Sequence, residues 1–132
     1  MILHAGDFTT PEVLLDLEAL GPPVAAVHGN VDSPELRERL PEARMVDAGG
    51  VTIAMVHDAG TARGRLRRMR LRFPDAAAVV FGHSHIPLHE TADGFQIFNP
   101  GSPTDRRRQP RHTMGIARVG HGSIAFEVLE LD

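Results

Sequence analysis

Val79-Val80-Phe81-Gly82-His83-Ser84-His85 is the stretch on which the reading of this 132-residue chain turns. The apolar run from Ala76 to Phe81 has the length and β-branched content of a buried strand. Gly82 lets the backbone turn sharply, with no Cβ in the way. Open α/β sheets bind ligands in the crevice beyond the carboxyl ends of their strands, so such a turn offers His83 and His85 to that crevice. Neutral imidazole is the commonest protein metal ligand, and two of them on one strand-end turn suggest a metal edge. Taken alone, His-x-His reads equally well as a pair of exposed loop histidines. The rest of the chain separates the two readings.

Working outward, the same design recurs. Met1 to His4 reads as a short strand, and Ala5-Gly6-Asp7 delivers a carboxylate at its end. Val24 to Val27 is a second apolar run, ending in His28-Gly29-Asn30-Val31-Asp32. Arg44 to Asp47 and Val51 to Val56 flank Gly49-Gly50, a hairpin signal, and the second run ends at His57. Asp7, Asn30, His57, His83 and His85 thus each follow an apolar run. If those strands are neighbours in one sheet, their ends converge on one crevice. One carboxylate, one amide oxygen and three imidazoles form a mixed N/O set suited to Mn, Fe, Co, Ni or Zn, and poor for Ca. Each residue alone has an ordinary explanation: a helix-entry carboxylate, a turn amide, a satisfied strand-end histidine. All five at strand ends do not.

Between these runs lie helix signals. Thr9 or Thr10 with Pro11 and Glu12 starts one helix, whose apolar face is Val13, Leu14, Leu15, Leu17 and Leu20. Ser33-Pro34-Glu35 starts a shorter one, with Ser33 as N-cap and Pro34 at the first helical position. Residues 62 to 72 read as an amphipathic helix whose arginines mostly face water, with phosphate binding as the functional alternative. Two further hairpins are predicted, Pro87–Glu90 with Phe95–Phe98 around Asp93-Gly94, and Thr113–Val119 with Ser123–Leu131 around Gly120-His121-Gly122. Early alternation of strands and helices, then hairpins, predicts one layered α/β domain over 1–132 with a mixed sheet.

Composition narrows the function classes. With 14 Lys+Arg against 17 Asp+Glu the net charge is −3, which gives no reason to expect nucleic acid or an anionic membrane as partner. There is no Cys, so disulfides, thiolate zinc sites and cysteine nucleophiles are excluded. Trp and Tyr are absent as well, leaving few platforms for base stacking. No long apolar run and no export signal occur, and a cytoplasmic location is the expectation. Of the 8 histidines, His4 and His28 read as structural, while His89, His112 and His121 have no ligand pattern.

Gly6-Asp7, Gly29-Asn30-Val31-Asp32, His57 and Gly82-His83-Ser84-His85, in this order, resemble the calcineurin-like metallophosphoesterases. The short length and the Asn99-Pro100-Gly101-Ser102 turn are most similar to the small YfcE-like phosphodiesterase branch. The resemblance implies an α/β/β/α sandwich of two mixed sheets and a hydrolase that attacks phosphodiesters or small phosphomonoesters with a metal-activated water. It implies two divalent ions, manganese first among the candidates, with Asp7 as bridging carboxylate. Asn30, His57 and His83 correspond to the ligands of the second metal and His85 to one ligand of the first. Asp7 and His83 are the expected catalytic residues.

Two departures modify these expectations. The family's first strand carries Asp-x-His, which this chain lacks, so the expectation is a chain truncated at its N-terminus relative to the family, holding two ions or one. The expected partner is a small phosphate ester, with a homo-oligomer as an option. A protein-interaction scaffold, as in a retromer subunit of the same fold, is the rival reading. Val31 stands where many members of the family have a histidine that protonates the leaving group, and valine cannot do so. Asp32 is expected only to shape its turn or to orient a ligand.

Overall fold

The computed structural model describes residues 1–132 and has four layers. At its centre is a five-stranded mixed sheet of order β3-β4-β5-β7-β6, formed by β3 (Ala43–Ala48), β4 (Val51–Val56), β5 (Ala78–Val80), β6 (Leu88–Ala92) and β7 (Phe95–Asn99). β4, β5 and β7 run parallel, and the outer strands β3 and β6 join by antiparallel hairpins at the predicted glycines. β4 is apolar on both sides because both its faces are covered, as buried parallel strands require. Ala54 and Val56 point to one core, Val51, Ile53 and Met55 to the other.

The first core is closed by α3 (Arg65–Arg72), with Leu66, Met69 and Phe73 set at helical spacing against Val79, Phe81, Phe95 and Ile97. The second is closed by two small sheets. Leu3 of β1 (Ile2–His4) and Ala25 of β2 (Val24–Ala26) share it with Val119 of β8 (Thr113–Gly120) and with Ile124 and Phe126 of β9 (Ser123–Glu130). β1 and β2 pair in parallel and β8 and β9 antiparallel, each pair a separate two-stranded sheet. Outside β1 and β2 lie α1 (Pro11–Glu18) and α2 (Pro34–Arg39), which bury Leu14 and Leu36 with Phe8 and Ala26. Each fully buried Ile, Phe or Leu in these cores contributes about 1.5–3 kcal/mol. The α/β/β/α sandwich implied by the resemblance is therefore observed.

The differences from expectation are local. α3 starts at Arg65, not residue 62, because Gly64 before it is left-handed (φ 71°) and breaks the helical path. β5 spans Ala78–Val80, although the Ala77 and Phe81 N–H groups still bond Thr52 O and Phe98 O at its ends. The arginines of α3 are not simply solvated. Arg68 Nη2 donates to Ala59 O and Thr61 O at 2.7 Å each, Arg65 Nη2 to Gly60 O at 3.2 Å, and Arg70 Nη2 to Asp93 O at 3.3 Å. Those guanidinium groups fasten loops to the helix, which argues against the phosphate-binding alternative for them. No helix is long and apolar enough to cross a membrane.

His4, at the end of β1, is structural as expected. Its ring stacks on Phe8 with centroids 3.7 Å apart, and its Nδ1 accepts the Gly6 N–H at 3.1 Å. Burial lowers its pKa from 6.5 to about 4, against the opposing pull of the Asp32 and Asp7 carboxylates. The folded chain thus refuses a proton that the unfolded chain accepts. This contribution to stability is fully present above pH 6.5 and is lost as pH falls towards 4. Denaturant unfolding at pH 7 and pH 5 measures it. His4→Asn, which keeps an acceptor for Gly6, should flatten the decline in that window, and an unchanged decline would show that His4 does not cause it.

Candidate metal centre

The predicted residues occupy the carboxyl ends of strands in two layers, not in one sheet. Asp7 follows β1, Asn30 follows β2, His57 follows β4, and His83 and His85 follow β5. Because β1–β2 and β4–β5 run the same way in stacked sheets, their ends meet at the edge between the layers. The backbones there pack so closely that only glycine fits. A Cβ on Gly29 would lie 2.1 Å from Asp7 Oδ1, and one on Gly6 would lie 2.7 Å from the Gly29 nitrogen.

Asp32 ties the two loops together. Its buried carboxylate accepts the N–H groups of Gly29 (2.7 Å), Thr9 (2.8 Å) and Asp7 (3.0 Å). Asp7 and Thr9 are both left-handed, with φ of 65° and 69°, a conformation unfavourable for any residue with a Cβ and most of all for β-branched threonine. In return Asp7 Oδ1 accepts the Val31 N–H at 3.1 Å, which leaves Oδ2 to face inward. The sequence suggested that Asp32 shapes its turn or orients a ligand, and its bond to the Asp7 N–H is of the second kind. Its reach into the loop after β1 depends on the packing of β1 beside β2, which no local pattern records.

Four side chains then meet. His57 Nε2 lies 2.8 Å from Asn30 Oδ1 and 3.2 Å from Asp7 Oδ2, and His83 Nδ1 lies 3.2 Å from Asn30 Oδ1. The rings of His57 and His83 stand edge to face, centroids 5.2 Å apart. His57 Nδ1 is 2.6 Å from Ala5 O, and a carbonyl only accepts, so Nδ1 carries the proton. The lone pair on a neutral Nε2 then faces two oxygens that are also acceptors. A cation between them, metal or proton, relieves that opposition. Six donors about 2.1 Å from one ion in octahedral array stand about 3.0 Å apart, which matches these separations and fits a divalent metal. No three His, Cys, Asp or Glu side chains make a cage by themselves. The cluster is completed by the Asn30 amide oxygen, an acceptor outside that set of residue types.

His85 is not brought into contact with the other four. Its Nδ1 lies against the Asp105 carbonyl oxygen, with the Asp105 carboxylate 3.9 Å away. His83 and His85 are left-handed, φ 69° and 62°, and the turn that carries them is held from behind. The fully buried Asn99 donates to Gly82 O at 3.0 Å and to Ser84 Oγ at 3.2 Å. Asp58, unassigned by the sequence, stands 4.0 Å from His83 Nε2. A hollow of about 200 Å³ opens beside the cluster, lined by His28, Asn30, Arg37, Glu42 and His57, and the buried His28 Nδ1 has no partner. A hollow of about 240 Å³ under the β8–β9 hairpin contains none of the four clustered residues.

Residues 1–122 match the family model of the calcineurin-like phosphoesterase superfamily domain. The chain belongs to that superfamily. A relative from Methanothermobacter thermautotrophicus named "Probable metallophosphoesterase" is 34% identical over 131 residues, 98% of this chain and 74% of the relative. Among solved structures, the solution structure of a Thermotoga maritima protein is 28% identical with a TM-score of 0.73, covering 98% of this chain and 79% of that one. Vps29 of Entamoeba histolytica complexed with Zn²⁺ is 21% identical with a TM-score of 0.75, covering 97% and 80%, a likeness of fold. Calcineurin-like phosphoesterases are metal dependent, in keeping with the donor set of this member.

Asp32→Asn removes one carboxylate oxygen and turns an amide N–H₂ towards backbone donors. We expect a loss of about 2–4 kcal/mol, because all three charge-assisted bonds are weakened or broken. Equilibrium unfolding in urea of the metal-free chain measures this. A change below about 0.5 kcal/mol would mean that the loops hold their shape without Asp32.

Proposed function

We propose that the chain is a metal-dependent phosphoesterase that hydrolyses phosphodiesters or small phosphomonoesters by attack of water at phosphorus. The observation that carries this reading is the run of close approaches from Asp7 Oδ2 to His57 Nε2, from His57 Nε2 to Asn30 Oδ1 and from Asn30 Oδ1 to His83 Nδ1. These four would hold a divalent ion, with Mn the first candidate and Fe, Co, Ni and Zn compatible with the same N/O set. When bound, such an ion lowers the pKa of water and neutralises charge on phosphoryl oxygens. Asp7, fixed through Oδ1 by the Val31 N–H, would offer Oδ2 to such an ion and help to orient the attacking water. The Ala5 carbonyl sets the His57 tautomer and raises the basicity of Nε2, as orienting partners of metal ligands do. A second ion would draw on Asp7 and His85, the latter after release from Asp105. Val31 offers no proton, so activation of the leaving group would fall to metal or water.

The second reading is a catalytically impaired member of the fold that serves as a protein-interaction scaffold. The position of His85, bonded to the Asp105 carbonyl and outside the cluster, favours it.

Metal content of the purified chain and hydrolysis of bis(p-nitrophenyl) phosphate in Mn²⁺ separate the readings. Bound metal with turnover is expected. Asp7→Ala and His57→Ala should each lower turnover at least about 100-fold, and His121→Ala, in an exposed hairpin turn, should leave it unchanged. Metal binding without turnover would favour the scaffold, and turnover indifferent to Asp7 and His57 would place the chemistry elsewhere.

A further inference from the structure

The cluster at the strand ends contributes the Asp7 carboxylate and two imidazole rings, while its expected substrate is itself anionic. One cation of this chain is fastened to the same turn. The loop after β7 closes on itself: Ser102 Oγ accepts the N–H groups of Thr104 (3.3 Å) and Asp105 (3.0 Å), and Asp105 Oδ1 accepts that of Arg107 (3.1 Å). This closure leaves Arg107 left-handed, φ 49°. Its Nη1 donates to His83 O at 3.1 Å and approaches Ser84 O at 3.5 Å. His83, Asp105 and His85 therefore form one unit with Arg107, built from three left-handed non-glycine residues and tied by the contact of His85 Nδ1 with Asp105 O. Such backbone costs energy and gathers at ligand sites.

The other arginines near the turn are differently placed. Arg106 Nη1 bonds the carbonyl of Gln109 in its own loop at 2.7 Å, and Arg65, Arg68 and Arg70 are fastened to carbonyls around α3. Arg107 is exposed, and no carboxylate lies within 4.0 Å of its guanidinium. One amino group anchors it to the carbonyl of a metal-site residue, while Nε and Nη2 have no partner. A planar, permanently charged fork with a free edge is suited to phosphate oxygens, which it binds as a pair.

We propose that Arg107 binds the non-bridging phosphoryl oxygens of the substrate at the mouth of this site. The proposal rests on the phosphoesterase reading above and adds to it the residue that recognises the phosphate. Arg107 anchors the anion from the protein side, and its two carbonyl contacts hold the guanidinium in place before the substrate arrives.

The test is calorimetric titration of inorganic phosphate into the Mn²⁺-loaded chain, with metal content measured in each sample. Arg107→Ala should weaken phosphate binding about tenfold or more without loss of metal. Arg107→Lys should recover part of that affinity, since it keeps charge but not the fork. Arg108→Ala, an exposed neighbour of equal charge, should stay within about twofold. With bis(p-nitrophenyl) phosphate, Arg107→Ala should raise KM more than it lowers kcat. Equal phosphate affinity in the Arg107→Ala and Arg108→Ala variants would overturn the proposal. A chain that takes up Mn²⁺ but no phosphate would also overturn it while leaving the metal site standing. A chain that takes up no Mn²⁺ would defeat the phosphoesterase reading first.

Discussion

The buried carboxylate of Asp32 is the constraint on which the site depends. It gathers three backbone N–H groups from two loops that belong to different strands and ties those loops to each other. The balance of magnitudes is clear. Two left-handed non-glycine residues, Asp7 and Thr9, cost about 1–2 kcal/mol each. Hydrogen bonds to a charged group contribute about 1.5–3 kcal/mol each, so three of them outweigh the strain. No basic side chain pairs with this carboxylate within 4.0 Å, and the backbone amides themselves compensate its charge. Arg37 completes the arrangement from outside, donating to the carbonyls of Asp32 and Asn30.

A second frustration sits inside the first. Once the Ala5 carbonyl has fixed the proton on His57 Nδ1, the Nε2 lone pair, Asn30 Oδ1 and Asp7 Oδ2 are three electron-rich atoms within 3.2 Å of His57 Nε2 or of one another through it. The Asp32 hydrogen bonds keep the two loops from drawing apart to relieve it, and glycine at 6 and 29 lets them lie that close. Folding thus brings these acceptors together with no donor between them, the arrangement on which the proposed metal centre rests. The arrangement shares its logic with Arg107, whose guanidinium is likewise held in advance with part of its hydrogen-bonding capacity unmet.

Much of this was legible in the chain. Apolar runs ending in a polar residue, with a glycine before it at Asp7, Asn30 and His83 but not at His57, marked the strands that carry these four, because strand burial and strand-end turns leave local signatures. Hairpins at Gly49-Gly50, Asp93-Gly94 and His121-Gly122 were equally local, since positive φ there restricts residue choice. What escaped were relations between distant loops. Asp32 bonding Thr9, Asn99 holding Ser84, and Asp105 meeting His85 each join residues 15 or more apart across the layered structure. The arginine-rich helix shows the same limit: its spacing gave the buried face through Leu66 and Met69, but not the carbonyls that Arg65, Arg68 and Arg70 would find.

Anomalous diffraction from crystals grown with Mn²⁺ tests the central claim most directly, because it locates the ion without reference to turnover. We predict an anomalous peak bonded to His57 Nε2, Asn30 Oδ1, Asp7 Oδ2 and His83 Nδ1, each at about 2.0–2.3 Å. Its absence at full metal loading, or a peak held by other side chains, would contradict the assignment of these strand ends as a metal centre.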